Sequence, residues 1–535
     1  MKFRTPFIPM AAIVCAASLV ALRDAPPDTA PPALPAPAPP ALDAEVAAPR
    51  VPALLRHAAE SAPADVTTLI VARDLAEARN SDACKSALSI VETLDLFPSS
   101  RSAWAALAKQ LGMPPEQAFD ELLGEQVLFI SRDNAEAGAS WALTSRVSIA
   151  SAKRLGAALG ATPRSQFDGL PVYAMENGAF VLHIRSEKGT NTAWITVGPG
   201  NRTDLFRHLI APAANTRSLA TEAPFNDLIA ALPEAGDAFL YRRLSPAEPD
   251  FAVGAIRVAG DSLITTYAAR SAIARKMPDG VWSRQQFDAL NRGAAITVVE
   301  SGQTSAGRFL DAAADGTLGP IKGIAALFQP FSKRHLLTPR SAFTIRRAPG
   351  NDLGVAYAVA TPDTDALAPE ADQFMAAQLA ALFPKNINAA DRIDPGGLAP
   401  EATRTVSLRG TGVAGLFRDK DAAVFAWSLT PNDGRSPTGW WTAGINPDAI
   451  ERTARVLTSN AEPGQWSALA EARPVDLAAL LESTAILPIS PTALSVMHRI
   501  DRVTLSERRL SPEKVVGSVS VDFVPPPPAP PAPGG

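Results

Sequence analysis

The chain is short of the residues that most often betray a chemistry. It has two cysteines, Cys15 and Cys84, in 535 residues. Cys15 falls inside the N-terminal apolar segment, so no internal disulfide framework can be assembled. Cys84 therefore reads as a small buried apolar residue rather than a reactive thiol. Aromatic residues make up 6%, with four Tyr. Extended platforms for sugars or single strands need many exposed rings, and that supply is missing. The eight Trp are expected in cores or interfaces. The net charge is only −4, which predicts attraction neither to polyphosphate nor to an anionic membrane surface. No nucleic-acid partner is expected. Arg far outnumbers Lys, which is read as codon bias in a GC-rich genome. The five His (His57, His183, His208, His335 and His498) never stand three or four residues apart, and no Cys cluster accompanies them. A metal site needs three or four converging ligands, so no metal ligand, cofactor or catalytic residue is assigned.

What is present begins at the N-terminus. Lys2 and Arg4 precede an apolar run to Leu22, the pattern of a secretory leader spanning residues 1–24. Pro6 and Pro9 interrupt the run, which is shorter than the ~20 residues of a comfortable membrane span. Cleavage after Ala21 or Ala25 is weakly specified, and an uncleaved anchor is the alternative. Val14 directly before Cys15 reads against a lipoprotein. Residues 25–62 form a Pro/Ala-rich linker that cannot bury a core and favours extended polyproline geometry. At ~3.1 Å per residue its mostly Pro and Ala part, from Ala25 to Pro52, reaches roughly 80 Å. A Pro-rich tail, 525–535, closes the chain. The expected location is the periplasm or cell envelope, with a membrane tether through the N-terminal segment as an option.

Hydrophobic content of 47% and charged content of 19% suit a globular interior. The length exceeds one core, so two or more domains are expected. Between them, residues 63–275 and 276–524 use one order of elements twice. The first copy opens with Thr68-Leu69-Ile70-Val71-Ala72, then helical sequence holding Leu88, Val91 and Leu94. Strands at 126–131 and 140–146, a helix at 148–159 and a hairpin turning on Asn177-Gly178 follow. Trp194-Ile195-Thr196-Val197-Gly198 leads into helices near 201 and 223, and three strands close the copy. The second copy opens with Ala295-Ile296-Thr297-Val298-Val299, then helical sequence. Next comes a hairpin turning on Gly350-Asn351-Asp352, then a helix from Asp363 to Phe383. That helix carries Leu367, Phe374, Met375, Leu379, Leu382 and Phe383 on one side. After Asn432-Asp433-Gly434, the stretch Trp441-Thr442-Ala443-Gly444 matches Trp194 to Gly198 most closely. Asn446-Pro447-Asp448 starts a helix, helices are expected from about Gln465 to Leu481, and two strands close the copy. Pro278-Asp279-Gly280 marks the break. The expected fold class is α+β: two tandem related domains, each a mainly antiparallel β-sheet with helices packed on one face.

Several short motifs resemble catalytic signatures. Gly260-Asp261-Ser262-Leu263 spells an esterase nucleophile motif, but it sits between two alternating strands and lacks a downstream Asp-x-x-His pair. Ser511-Pro512-Glu513-Lys514 fits Ser-x-x-Lys, yet it connects strands where the chemistry needs a helix. Gly198-Pro199-Gly200-Asn201 precedes a helix without the spacing of a phosphate or dinucleotide loop, and Asn201 or Thr203 is expected near the cap. Asp363, Asp365, Asp391 and Asp394 suit loops and helix starts.

One resemblance stands beside these readings. Pro63-Ala64-Asp65 leads into a strand ending Arg73-Asp74-Leu75. Phe167-Asp168-Gly169-Leu170-Pro171-Val172-Tyr173 and Ser218-Leu219-Ala220-Thr221-Glu222-Ala223-Pro224-Phe225 follow. Together these resemble the uncharacterised bacterial family called domain of unknown function 3352. The resemblance implies an exported protein behind a leader or anchor and supplies no catalytic residues. The expected function is a non-catalytic envelope protein that binds or scaffolds a protein, lipid or wall polymer. Alternatives are an envelope hydrolase with a site built from scattered loops, and a lipid or lipoprotein carrier.

Overall fold

A computed structural model describes residues 52–94, 98–132, 140–158, 160, 162–167, 169–175, 179–212, 216–233, 236–243, 251–270, 281–301, 338, 340–349, 352–382, 403–409, 422–431, 438–459, 464–484 and 490–525. The leader and most of the Pro/Ala linker lie outside these residues. So do the tail beyond Pro525 and the turns at Asn177-Gly178, Gly350-Asn351, Asn432-Asp433-Gly434 and Pro278-Asp279-Gly280. The linker's end is not the expected disordered stretch: Ala53–Ser61 is a helix that buries Leu55, Ala58 and Ala59.

The described elements run α1 (Ala53–Ser61), β1 (Thr68–Arg73), α2 (Leu75–Asn80), α3 (Asp82–Thr93), α4 (Pro98–Leu111), α5 (Pro115–Leu123), β2 (Gln126–Arg132), β3 (Ser140–Ser148), α6 (Ile149–Ala158), β4 (Thr162–Phe167), β5 (Leu170–Met175), β6 (Phe180–Ser186), β7 (Thr192–Pro199), α7 (Asp204–Ile210), α8 (Ala223–Ile229), β8 (Ala238–Arg243), β9 (Phe251–Ala259) and β10 (Ser262–Arg270). They continue as α9 (Arg284–Asn291), β11 (Ala294–Ser301), β12 (Arg340–Ala348), β13 (Asp352–Thr361), α10 (Thr364–Leu382), β14 (Arg404–Arg409), β15 (Ala422–Thr430), β16 (Gly439–Ile445), α11 (Pro447–Ser459), β17 (Ala468–Ala472), α12 (Pro474–Thr484), α13 (Pro491–Met497), β18 (Ile500–Ser511) and β19 (Lys514–Phe523). The chain is α+β, with helices and a large antiparallel sheet.

Contacts divide it into two compact units. The first holds the chain through Glu77, Phe97–Arg257 and Tyr267–Ala269. The second holds Ala78–Leu96, Val258–Thr266 and the chain from Arg270. In the first unit the strands lie in the order β9-β8-β1-β2-β3-β7-β6-β5-β4, every neighbouring pair antiparallel. In the second the order is β19-β18-β17-β11-β12-β13-β16-β15-β14, again antiparallel throughout. The opening strand of each, β1 or β11, takes an interior place because its β-branched residues tolerate burial on both sides.

Registers match as well as order. Thr144 faces Thr196 and Arg146 faces Trp194 in the first unit. Ala356 faces Gly444 and Ala358 faces Thr442 in the second. Setting Thr196 on Thr442 brings Trp194 onto Trp440 and Gly198 onto Gly444. The shared pattern is Trp-x-Thr-x-Gly, one residue out of step with the expected match of Trp194 to Trp441. Neither glycine leaves room for a side chain, Gly198 because of a helix and Gly444 because of the neighbouring strand. A Cβ at Gly198 would lie 2.9 Å from the Phe206 Cβ of α7, and one at Gly444 would lie 1.9 Å from the Val355 carbonyl oxygen.

Three further expectations are corrected. Helices cover both faces of the sheet, not one. In the second unit α10 and α12 bury Leu367, Met375, Leu477 and Leu480 against Val355, Val359 and Trp441. On the opposite face Phe287, Leu290 and Leu457 pack on Ala358 and Trp440, and Ile450 packs on Ala356 and Ala426. The reason is visible in β13, an unbroken apolar run with no polar face to leave in water. The helix expected from Gln465 is in its first part a strand, β17, paired with β11 and β18. Its Ala and Leu favour helix locally, and pairing on both sides overrides that preference. Finally, α3 lies in the first half of the sequence but packs with the second unit. Ser81 caps it through Cys84 N–H, and the Arg499 guanidinium donates to Ser89 and to Thr93 Oγ1 at 3.1 Å. The long helix of the second copy runs Thr364–Leu382, with Leu367 and Met375 in the core.

Candidate functional site

An open groove of about 410 Å³ lies in the first unit, lined in part by Asp65, Arg132, Asp204, His208, Thr216 and Arg217. Sheet topology explains how residues so far apart in sequence meet. Asp65 precedes β1, Arg132 ends β2, Ser140 starts β3, and Asp204 follows β7. In the order β1-β2-β3-β7, antiparallel neighbours alternate start and end, so all four residues fall at one end of the sheet.

Arg132 bridges two carboxylates. Its Nη1 donates to Asp204 Oδ2 at 2.7 Å and its Nη2 to Asp65 Oδ1 at 2.5 Å. Ser140 Oγ donates to Asp204 Oδ1 at 2.6 Å. Asp204 also opens α7, where a negative charge complements the helix dipole. Arg217 pairs with Glu222 at 3.0 Å. Burial pushes the His208 imidazole below its ordinary value, with Arg132 acting the same way, while a hydrogen bond to the Ser61 backbone and the charge of Asp65 oppose. Salt bridges this exposed are each worth about 1 kcal/mol or less, so the cluster shapes the groove more than it stabilises the fold.

The arrangement suits binding. Ser140 gives its hydroxyl proton to Asp204 rather than to an imidazole. It offers donors and acceptors of both signs along an accessible rim.

A second polar cluster occupies β3 and β7 of the same unit. Arg146 pairs with Glu187 at 2.9 Å and Glu125 at 3.5 Å. Glu187 also accepts from Thr192 Oγ1 and, at 3.2 Å, from Trp194 Nε1. The Thr192 hydroxyl, then Arg146, holds the Glu187 carboxyl down at about 2.

The motifs of the sequence go elsewhere. Gly260 takes φ +60° in the β9–β10 turn, and Ser262 Oγ donates to Asp522 at 2.6 Å. Ser511 and Lys514 pair across the β18–β19 turn. Gly198 and Pro199 close β7, and Thr203 is the N-cap of α7 as expected, without a side-chain cap bond. Asp363 Oδ1 caps α10 by accepting from Ala366 N–H at 2.9 Å. Asp365 lies in the first turn of α10, while Asp391 and Asp394 lie outside the described residues. His57 is exposed beside Glu60 and His498 meets Glu482 at 3.5 Å. His183 is buried, with Nδ1 2.9 Å from the Pro171 carbonyl, and His335 is outside the described residues. Cys84 is half-buried and outside any disulfide. Among the described residues no three His, Cys, Asp or Glu side chains converge as metal ligands, and no helix is long and apolar enough to cross a membrane.

Sequence reasoning missed the groove. Asp65 was visible only within the resembled Pro63-Ala64-Asp65, and His208 only as one of five His. No family model, curated protein or solved structure matches the chain.

Proposed function

We propose that this is an exported cell-envelope protein that acts by binding rather than catalysis, built from two tandem related α+β domains. The observation that carries the binding reading is Arg132. It occupies both carboxylates of the groove, leaving a polar, rigid rim. The duplication is supported by the common strand order and the shared Trp-x-Thr-x-Gly register. The leader pattern and the resemblance to domain of unknown function 3352 support export, and the Pro/Ala stretch supports a tether.

The partner is an envelope component, and the groove's chemistry favours a protein or wall polymer over a lipid. A lipid carrier needs an apolar hollow. The void beneath β3 and β7, lined by Leu143, Leu155, Ile195 and Val197 among others, measures about 20 Å³, too small for an acyl chain.

The test uses the purified full chain and its Arg132→Ala variant against isolated wall polymer and solubilised envelope protein. Binding that falls about tenfold in the variant, without turnover of either material, supports the reading. Turnover abolished by His208→Gln, with folding intact, overturns it in favour of an envelope hydrolase. Recovery of the expressed chain in the cytoplasmic fraction overturns export.

A further inference from the structure

Arg346 in β12 is 3% exposed. Its Nη2 donates to the Leu290 carbonyl at 2.6 Å, while Nε and Nη1 are buried without a hydrogen-bond partner. Among the described residues no carboxylate pairs with it. The charge that acts on it is Arg452 of α11, another cation. Arg452 donates to the Arg292 carbonyl at 2.7 Å. Two guanidinium groups thus converge on carbonyls two residues apart at the C-terminal end of α9. That helix end offers roughly half a negative charge, against two full positive ones. Asn291 between them has a buried Oδ1 without a partner, but a neutral amide cancels no charge. An uncompensated buried ion is costly, and an orphaned buried donor calls for a ligand or water.

The first unit shows what this position requires. Arg132 faces Ser140 across the β2–β3 ladder, as Arg346 faces Gly354 across β12–β13. With Thr196 set on Thr442 and so Thr144 on Ala358, the two arginines fall on each other. Arg132 is neutralised by Asp65 and Asp204, and Arg346 has neither.

We propose that the second unit binds a small inorganic monoanion, of the size and charge of chloride, between Arg346 and Arg452, where it takes the place of the two carboxylates that serve Arg132. Burial pushes the Arg346 guanidinium down to about 10, with Arg452 pushing the same way; an anion reverses that penalty. Arg452 is exposed, so its long side chain can swing to admit the ion. The confined position of Arg346 selects a monatomic ion over sulfate or phosphate.

Bromide serves as the probe, using the full chain. Crystals grown in sodium bromide should give an anomalous peak beside Arg346. At constant ionic strength, replacing gluconate by bromide should raise the thermal midpoint of the second unit in a saturable way. That rise should vanish in Arg346→Met, weaken at least threefold in Arg452→Ala, and persist in Arg132→Ala. Because Arg452 is exposed, its variant keeps the test open if Arg346→Met fails to fold. The proposal is overturned by bromide peaks that spare Arg346, by equal midpoints in bromide and gluconate, or by an undiminished bromide response in Arg452→Ala.

Discussion

Set on each other by the shared Trp-x-Thr-x-Gly pattern, Arg132 and Arg346 take matching places in two units of the same strand order, yet their surroundings are opposite. In the first unit the end of the sheet is open, and carboxylates from the ends of neighbouring strands reach the guanidinium. In the second, α9 and α11 close over the equivalent face and the acids are gone. The pattern extends along the sheet. Trp194 is half-buried and gives its indole N–H to Glu187. Its counterpart Trp440 is 1% exposed and stacks near Trp282, with the Arg340 guanidinium 4.5 Å from the Trp282 ring centre and 5.1 Å from that of Trp440. Ala356, Ala358 and Ala360 provide the flat bed that α11 needs, where the first unit has Ala142, Thr144 and Arg146. One framework can carry an open polar rim or a sealed helical layer, depending on a few residues along one face.

Substitutions at matched positions can break this contrast. The largest effect is expected for Trp440→Ala, about 3–5 kcal/mol for emptying a fully buried ring. Trp194→Ala should cost about 1 kcal/mol, mostly one hydrogen bond. Equal losses in denaturant titrations would erase the distinction. Next come the paired glycines. Gly444→Ala pushes a methyl into backbone and should cost about 3 kcal/mol, the upper range for overpacking. Gly198→Ala meets the Phe206 Cβ at 2.9 Å, so α7 must move by a few tenths of an ångström, and it should cost about 2 kcal/mol.

Two pH effects sharpen the comparison from the open side. The Glu187 carboxyl is held at about 2, below its ordinary 4.5. Its contribution is complete above pH 4.5 and is lost as pH falls from 4.5 toward 2. Glu187→Gln should flatten that segment of the stability profile of the first unit. His208 is also depressed from 6.5, so folding favours the neutral ring. Stability should therefore decline as pH falls below 6.5, and His208→Gln should remove this smallest of the four effects. A slope unchanged in either variant would show that the group does not act.

The parts of the fold legible in sequence were those written locally. β1 and β11 announced themselves by β-branched runs. β17 was not legible, because Ala468-Leu469-Ala470-Glu471-Ala472 is helix-favouring on its own and becomes a strand only between β11 and β18. The coverage of both faces was available in the unbroken apolar sequence of β13. The groove was hidden for a different reason. Its residues are ordinary surface types spread from Asp65 to His208, and only the strand order brings their ends together. The destination of α3 was hidden too, since an amphipathic pattern states that a face will be buried but not against what.

The placement of α3 has a temporal side. Its Ser89 is bonded to Arg499, 410 residues later in the chain. At about 5–20 residues per second of synthesis, roughly 20–80 s separate the making of the helix from that of its dock. Through that interval Leu88 and Leu94, already the more exposed side of the finished helix, have company on neither flank. Closure of the second unit thus waits for both early and late chain, so a ribosome that stalls before β19 leaves α3 unclaimed as a local mark of an incomplete product.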